Sequence, residues 1–321
     1  MSGEIGDGMG LALGGGTARG AAHVGALKAL EAAGEAPVAF SGTSFGAIIA
    51  AMAALGAPAL EIERVVRGQN VMELWAQSLD FGLHRAALVH GERLSHWLDR
   101  KVFYGARIED AERPLAIAAT DLRTGAPVVL REGLVAEAVR ASCALPGVFG
   151  SVRIGGRDLV DGGFVEPVPF AALAGLGPAR MLGIHAGLDL AGSTALTRLR
   201  WLDRSPPGGW LHRMAGRMRG RNAWSRLAIG LSLSLRSYRH DARAPAGAQM
   251  VTVAPPIAWW DFHRSPIAIE AGERAVRLWL ERRAAEGDPA PGGPAGQAPG
   301  QRRPGGSSCG PGLGPGGEVP R

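Results

Sequence analysis

The sequence predicts an α/β protein built around one main layered domain. Three observations carry this. Strand-like and helix-like patterns alternate over residues 11–253, two glycine clusters each lie between an apolar strand and a helix, and an Asp-Gly-Gly turn closes a later strand. A chain of 321 residues has room for one large core or two small ones, and the unbroken alternation favours one.

The first strand is Met9-Gly10-Leu11-Ala12-Leu13, and it runs directly into Gly14-Gly15-Gly16-Thr17-Ala18-Arg19-Gly20. A helix pattern follows over residues 21–31 and stops at Gly34. Residues without side chains at a strand-to-helix turn leave N–H groups aimed above the sheet. Those groups suit a dinucleotide pyrophosphate, a nucleotide phosphate or the oxyanion of an acyl-transfer intermediate. The dinucleotide fingerprint is incomplete. Read back from Gly20, its middle glycine is Thr17, and no acidic residue ends the second strand. No Gly-Lys-Ser/Thr is present, which removes a P-loop.

The second strand pattern, residues 36–41, leads into Gly42-Thr43-Ser44-Phe45-Gly46, and residues 47–55 then read as an apolar helix closed by Gly56 and Pro58. Strand, tight turn and helix is the setting in which G-x-S-x-G presents a serine hydroxyl on a strained elbow. Gly42 and Gly46 permit the sharp turn and leave space beside the serine. The N-terminus of the helix directs its positive dipole end at Ser44. An adjacent glycine loop then reads best as an oxyanion hole.

Residues 153–160 alternate like a hairpin ending in a strand and deliver Asp161-Gly162-Gly163. A serine nucleophile needs a base, and Asp161 stands on an exposed kind of turn. A capping or turn aspartate is the ordinary alternative. Two histidines enter the question. His185 follows a strand pattern at 180–184 and has the place in the order Ser, Asp, His that a triad would use. His23 shares a helix face with Arg19 and is placed to brace the glycine loop. Residues 249–253 read as a last strand and 267–283 as a last helix.

Taken together these residues resemble the patatin-like phospholipase family over residues 11–280. The likeness includes the glycine loop with Arg19-Gly20, the Gly42–Gly46 elbow and Asp161-Gly162-Gly163. It extends to Ala119-Thr120-Asp121-Leu122-Arg123-Thr124-Gly125 and to Ala138-Val139-Arg140-Ala141-Ser142-Cys143-Ala144-Leu145-Pro146-Gly147-Val148-Phe149. The resemblance implies a three-layer α/β/α fold with a mostly parallel central sheet, and hydrolysis of lipid acyl esters by a Ser-Asp dyad without histidine. Carried over by position, Ser44 is the nucleophile and Asp161 the base. The N–H groups of Gly15, Gly16 and Thr17 form the oxyanion hole, supported by Gly14, Arg19, Gly20, Gly42, Gly46, Gly162 and Gly163. His185 is then an ordinary histidine. Three positions depart from the usual pattern. Thr17 replaces a common glycine, Glu166 stands where asparagine is frequent and is expected beside Asp161, and Phe45 is expected to narrow the site or touch an acyl chain.

Composition fits an enzyme without cofactor or metal, since no Cys/His/carboxylate cluster has zinc spacing. Cys143 and Cys309 are the only cysteines, which is no disulfide framework and suits a reducing compartment. The first residues carry neither a basic segment nor a long apolar run, so the expected location is cytoplasmic. Apart from Lys28 and Lys101 the positive charge is arginine, a bias that GC-rich coding also produces. Arginines interleave with Trp201, Trp210 and Trp224 over residues 198–243. Such a stretch suits peripheral contact with an anionic membrane; a variable lid or surface helix pair is the plainer alternative. No nucleic-acid-reading motif accompanies it.

The expected organisation is a flexible N-terminus at 1–8, a catalytic domain at 9–283 with a variable basic segment or lid at 200–245, and a disordered Gly/Pro-rich tail at 284–321. Helices over the active site are expected from 70–105. The expected partner is a lipid or acyl-ester substrate, and oligomeric state is left open. A regulatory or scaffold protein with little turnover is the alternative from another class, and a nucleotide-binding protein is a third.

Overall fold

The computed structural model describes residues 8–68, 92–145, 149–187, 243–258 and 261–287. In chain order the strands are β1 (Met9–Leu13), β2 (Ala39–Thr43), β3 (Leu115–Asp121), β4 (Pro127–Leu130), β5 (Val152–Ile154), β6 (Arg157–Asp161), β7 (Arg180–His185) and β8 (Ala248–Thr252). The helices are α1 (Ala22–Ala32), α2 (Phe45–Ala54), α3 (Ala59–Arg67), α4 (Glu92–Trp97), α5 (Val135–Ser142), α6 (Phe170–Ala174) and α7 (Ser265–Ala285). A 3-10 turn, Thr17–Ala21, enters α1.

The strands form one sheet in the order β5-β6-β3-β2-β1-β7-β8, with β4 also paired to β3. The pairs β1–β2, β1–β7, β2–β3 and β7–β8 are parallel, while β3–β4, β3–β6 and β5–β6 are antiparallel. The sheet is thus mostly parallel, as expected. The chain leaves β1 toward β2 and β3 in one direction, then returns to its other side as β7 and β8. In open α/β sheets such a reversal opens a crevice at the carboxyl ends of the strands, where ligands bind. The glycine cluster 14–16 lies at that end of β1.

Period-two alternation decides which side chain enters which layer. The register sets Leu182, Leu11, Phe40 and Leu115 in one row across four strands. All four are buried in the larger core, with residues of α1, α2, α3, α5 and α7. Ala12 and Ala39, on the other face, join Val168, Phe170 and Leu173 in a second core under α6. Helices therefore cover both faces, which gives the three-layer α/β/α arrangement. Each fully buried Leu, Ile or Phe in these cores contributes about 1.5–3 kcal/mol of transfer free energy. Among the described residues no helix is long and apolar enough to cross a membrane.

The strands β3 and β4, antiparallel to each other, lie outside the elements read from sequence. The segment Leu115–Asp121 is alanine-rich and apolar, a pattern that suits a buried helix as well as a strand. Helix α2 starts at Phe45, two residues before its expected start, so Ser44 itself caps it.

Helices α1 and α7 approach until their backbones touch. A Cβ at Gly25 would overlap the Ile269 carbonyl oxygen, and one at Gly272 would overlap that of Ala22. Gly25→Ala and Gly272→Ala are each expected to destabilise the protein by about 1–3 kcal/mol through overpacking. Urea denaturation measures this, and both variants should show a lower midpoint with an unchanged slope.

Candidate active site

Strand β2 ends at Thr43, and the next residue turns the chain into α2. Ser44 makes that turn at φ 55° and ψ −127°, a conformation few L-residues adopt. Gly46 is required by close approach, because a Cβ there would overlap the Leu13 and Gly14 carbonyl oxygens. Gly42 is required likewise, because its Cβ would meet the backbone of Ala47. Ser44 is buried, 8% exposed. Its N–H donates to Ser142 Oγ at 2.8 Å.

The Ser44 hydroxyl donates to Asp161 Oδ2 at 2.7 Å, with no imidazole interposed. Asp161 ends β6, which pairs antiparallel with β3 and so runs back to the elbow. Its other oxygen, Oδ1, accepts the Gly163 N–H at 2.8 Å, and its carbonyl accepts the Thr120 hydroxyl at 2.9 Å. Gly162 allows the turn, because a Cβ would overlap the Ala118 carbonyl. Burial pushes the Asp161 carboxyl up to about 6, and the bonds from Ser44 and Gly163 hold it from rising further.

The glycine loop lies beside the elbow, with Ser44 Cβ the nearest atom to a Cβ built on Gly15, at 3.6 Å. The Gly14 N–H donates to the Ile184 carbonyl at 3.0 Å, and Arg19 Nε donates to the Ile257 carbonyl at 2.9 Å. His23 is fully buried, and its Nε2 lies 2.7 Å from the Gly14 carbonyl. That oxygen can only accept, so Nε2 carries the proton. Burial lowers the His23 ring to about 4, with the nearby His185 adding to the effect, so it is neutral at pH 7. His23 thus braces the loop as its place on α1 suggested.

The Gly15 N–H is engaged, donating to the Pro167 carbonyl at 3.0 Å. Of the three expected oxyanion donors, only Gly16 and Thr17 keep amides without a partner among the described residues. Thr17 holds φ 47°, and its hydroxyl donates to the Gly16 carbonyl at 2.7 Å, which fixes the turn. The threonine keeps its backbone donor where glycine is common.

Two expectations are corrected. Phe45 does not line the site. It is 3% exposed, packs in the larger core, and meets Phe262 at 6.2 Å between ring centroids. Glu166 turns its carboxylate to the Ala171 N–H at the start of α6, and only its backbone faces Thr43. Gly20 packs against Phe45, where a Cβ would press on the ring. His185 ends β7, which lies on the opposite side of β1 from the elbow strand β2. Cys143 follows α5 directly and is buried, which pushes its thiol up.

Thr120 and Ser142 lie in stretches that carry the family likeness, yet sequence reading assigned no role to them or to the Pro167 carbonyl, since each acts through a long-range contact. Of the expected helices at 70–105, the part from Glu92 is α4, which packs against α5; residues 70–91 lie outside the described residues. So do 1–7, Pro146-Gly147-Val148, nearly all of the basic segment 198–243, and the tail from 288.

A family model described as patatin-like phospholipase matches residues 11–174. An NTE family protein of Mycobacterium tuberculosis is 30% identical over 213 residues, which are 64% of this chain and 54% of that protein. Lysophospholipase nte1 of Aspergillus fumigatus is 30% identical over 181 residues, 56% of this chain and 12% of that protein. The chain spans about half, or less, of the length of these curated relatives. Among solved structures, VipD from Legionella pneumophila aligns with a TM-score of 0.47 and 14% identity, over 86% of this chain and 67% of VipD.

Proposed function

This chain belongs to the patatin-like phospholipase family, and from that premise we propose that it hydrolyses lipid acyl esters, with Ser44 as nucleophile and Asp161 as base. The observation that carries the proposal is the 2.7 Å bond from the Ser44 hydroxyl to a buried carboxylate, beside a loop whose Gly16 and Thr17 amides have no partner among the described residues. The lysophospholipase among the relatives supports a lipid ester as substrate class.

Asp161 accepts the serine proton as Oγ attacks the ester carbonyl. A carboxyl held near 6 is a stronger base than an ordinary aspartate, yet still ionised at pH 7. The tetrahedral oxyanion takes hydrogen bonds from the Gly16 and Thr17 amides, each worth on the order of 3 kcal/mol at the transition state. The N-terminus of α2 adds a positive field at Ser44. Collapse of the intermediate breaks the ester bond, and Asp161 returns the proton to the departing alcohol. Water, deprotonated by Asp161, then attacks the acyl-serine; the bond between the acyl carbon and Ser44 Oγ breaks, Asp161 returns the proton to Oγ, and the fatty acid leaves. A regulatory protein with little turnover would have no need of this complete set, which favours the enzyme. The arginine and tryptophan pattern of residues 198–243 supports peripheral contact with anionic membrane.

Ser44→Ala is expected to abolish both p-nitrophenyl ester hydrolysis and fluorophosphonate labelling. Asp161→Asn should lose most activity, and His185→Ala should stay within about tenfold of the parent, against far larger losses for a true triad member. A His185 variant as inactive as the Asp161 variant would reject the dyad.

The acid form of Asp161 cannot accept the serine proton, so kcat/KM should fall as pH drops through about 6. The decline is about tenfold per pH unit on the acid side, read from a pH–rate profile with a soluble ester. A profile flat down to pH 4 contradicts Asp161 as base.

Binding to phosphatidylserine vesicles should weaken with salt, because exposed charge attraction is screened. Co-sedimentation at two ionic strengths reads this directly. Trp210→Ala with Trp224→Ala should lower binding while soluble-ester cleavage stays near the parental rate.

A further inference from the structure

Ser142 is the last residue of α5 and is 0% exposed. A serine at a helix end commonly bonds back to a carbonyl of its own helix. Here both of its bonds leave the helix. Its Oγ accepts the Ser44 N–H at 2.8 Å and donates to the Ala118 carbonyl of β3 at 2.7 Å. The β2–β3 register pairs Thr43 with Ala118, so the elbow breaks the ladder one residue later. The Ser142 hydroxyl sits in that break and joins the two backbone groups the turn has pulled apart.

We infer that Ser142 is a positioning residue for the nucleophile, holding the Ser44 peptide in its positive-φ conformation so that the hydroxyl faces Asp161. The inference rests on the reading of Ser44 as nucleophile. Its logic is one of satisfied polar groups. Without the hydroxyl, a buried N–H and a buried C=O both lose their partner, and the cheapest remedy is rotation of the peptide between Thr43 and Ser44 toward the ladder. That rotation carries the Ser44 Cβ, and with it the attacking oxygen, away from Asp161. Thr120 holds the Asp161 carbonyl from the same end of β3. Both halves of the pair are therefore referenced to Ala118–Thr120, and Ser142 is the link on the serine side. Because Ser142 is enclosed, it meets no substrate, and its effect must appear in turnover and not in binding.

Ser142→Ala in the full chain is expected to lower kcat about 10- to 100-fold with KM within about twofold, the scale of a misplaced reacting atom. The rate of fluorophosphonate labelling should fall by the same factor, at a temperature where circular dichroism shows the variant folded. The acid limb of the pH profile should keep its midpoint, since the base is untouched. Ser142→Thr retains the hydroxyl and should recover most of the labelling rate. Labelling at the parental rate by folded Ser142→Ala overturns the inference, and so does a threonine variant as slow as alanine. Should the alanine variant not fold, Ser142→Cys keeps a weak acceptor of similar size and is expected to label at an intermediate rate; a parental rate overturns the inference. Ser44→Ala run beside these must not label at all. Labelling there would remove the nucleophile reading itself and is distinguishable from a failure confined to Ser142.

Discussion

The positive φ of Ser44 persists only because its surroundings leave the backbone nowhere else to go. Such a conformation costs on the order of 1–3 kcal/mol and survives where packing over-determines it. On one side, α2 buries every residue from Phe45 to Ala54, so the helix cannot retreat from the sheet. On the other, the carbonyls of Leu13 and Gly14 press on Gly46. From behind, Ser142 holds the amide. The apolar burial of α2 in the larger core offsets the strain at its first turn, so core and site are one structure.

The sheet topology brings the remaining parts to the same place. β1 supplies the glycine loop, β2 the elbow and β6 the carboxylate, and β6 reaches the elbow because it runs antiparallel to β3. The antiparallel side of the sheet therefore has a purpose in the site. Residues well beyond the end of the family match contribute as well: Ile184 anchors Gly14, and Ile257 anchors Arg19. The loop is thereby also held from β7 and from the segment that follows β8.

Much of this was legible in the sequence, and the division follows a physical line. The β1 strand, the elbow, the Asp161 turn and the long α7 helix rest on local chemistry: glycine where backbones approach, period-two strands and a 3.6-residue helix repeat. The resemblance joined the serine to the aspartate, 117 residues apart. What escaped was set by contacts between distant segments. Nothing near Gly15 shows that Pro167 takes its amide. Phe45 looks like a site residue until Phe262 and Gly20 are found around it, and Glu166 looks like a wall of the site until α6 offers it an N–H. The strand β3 escaped for another reason, because an alanine-rich run carries little signal of its own.

Burying two ionisable groups at one site has a consequence for proton linkage. His23 titrates near 4 in the folded chain against 6.5 as a free side chain, so on acidification the unfolded chain takes up that proton first. Its contribution to stability is complete above 6.5 and is lost as pH falls toward 4. Asp161 titrates near 6 against 3.8, so the folded chain takes up that proton first. The cost of enclosing its charge is complete above 6 and disappears as pH falls to 3.8. Between about pH 4 and 6 each group alone would tilt the unfolding free energy by about 1.4 kcal/mol per pH unit, in opposite directions. The two slopes nearly cancel. Across the interval in which the buried carboxyl takes up its proton, this pair leaves the free energy of unfolding almost level, and net proton exchange on unfolding comes from groups elsewhere in the chain.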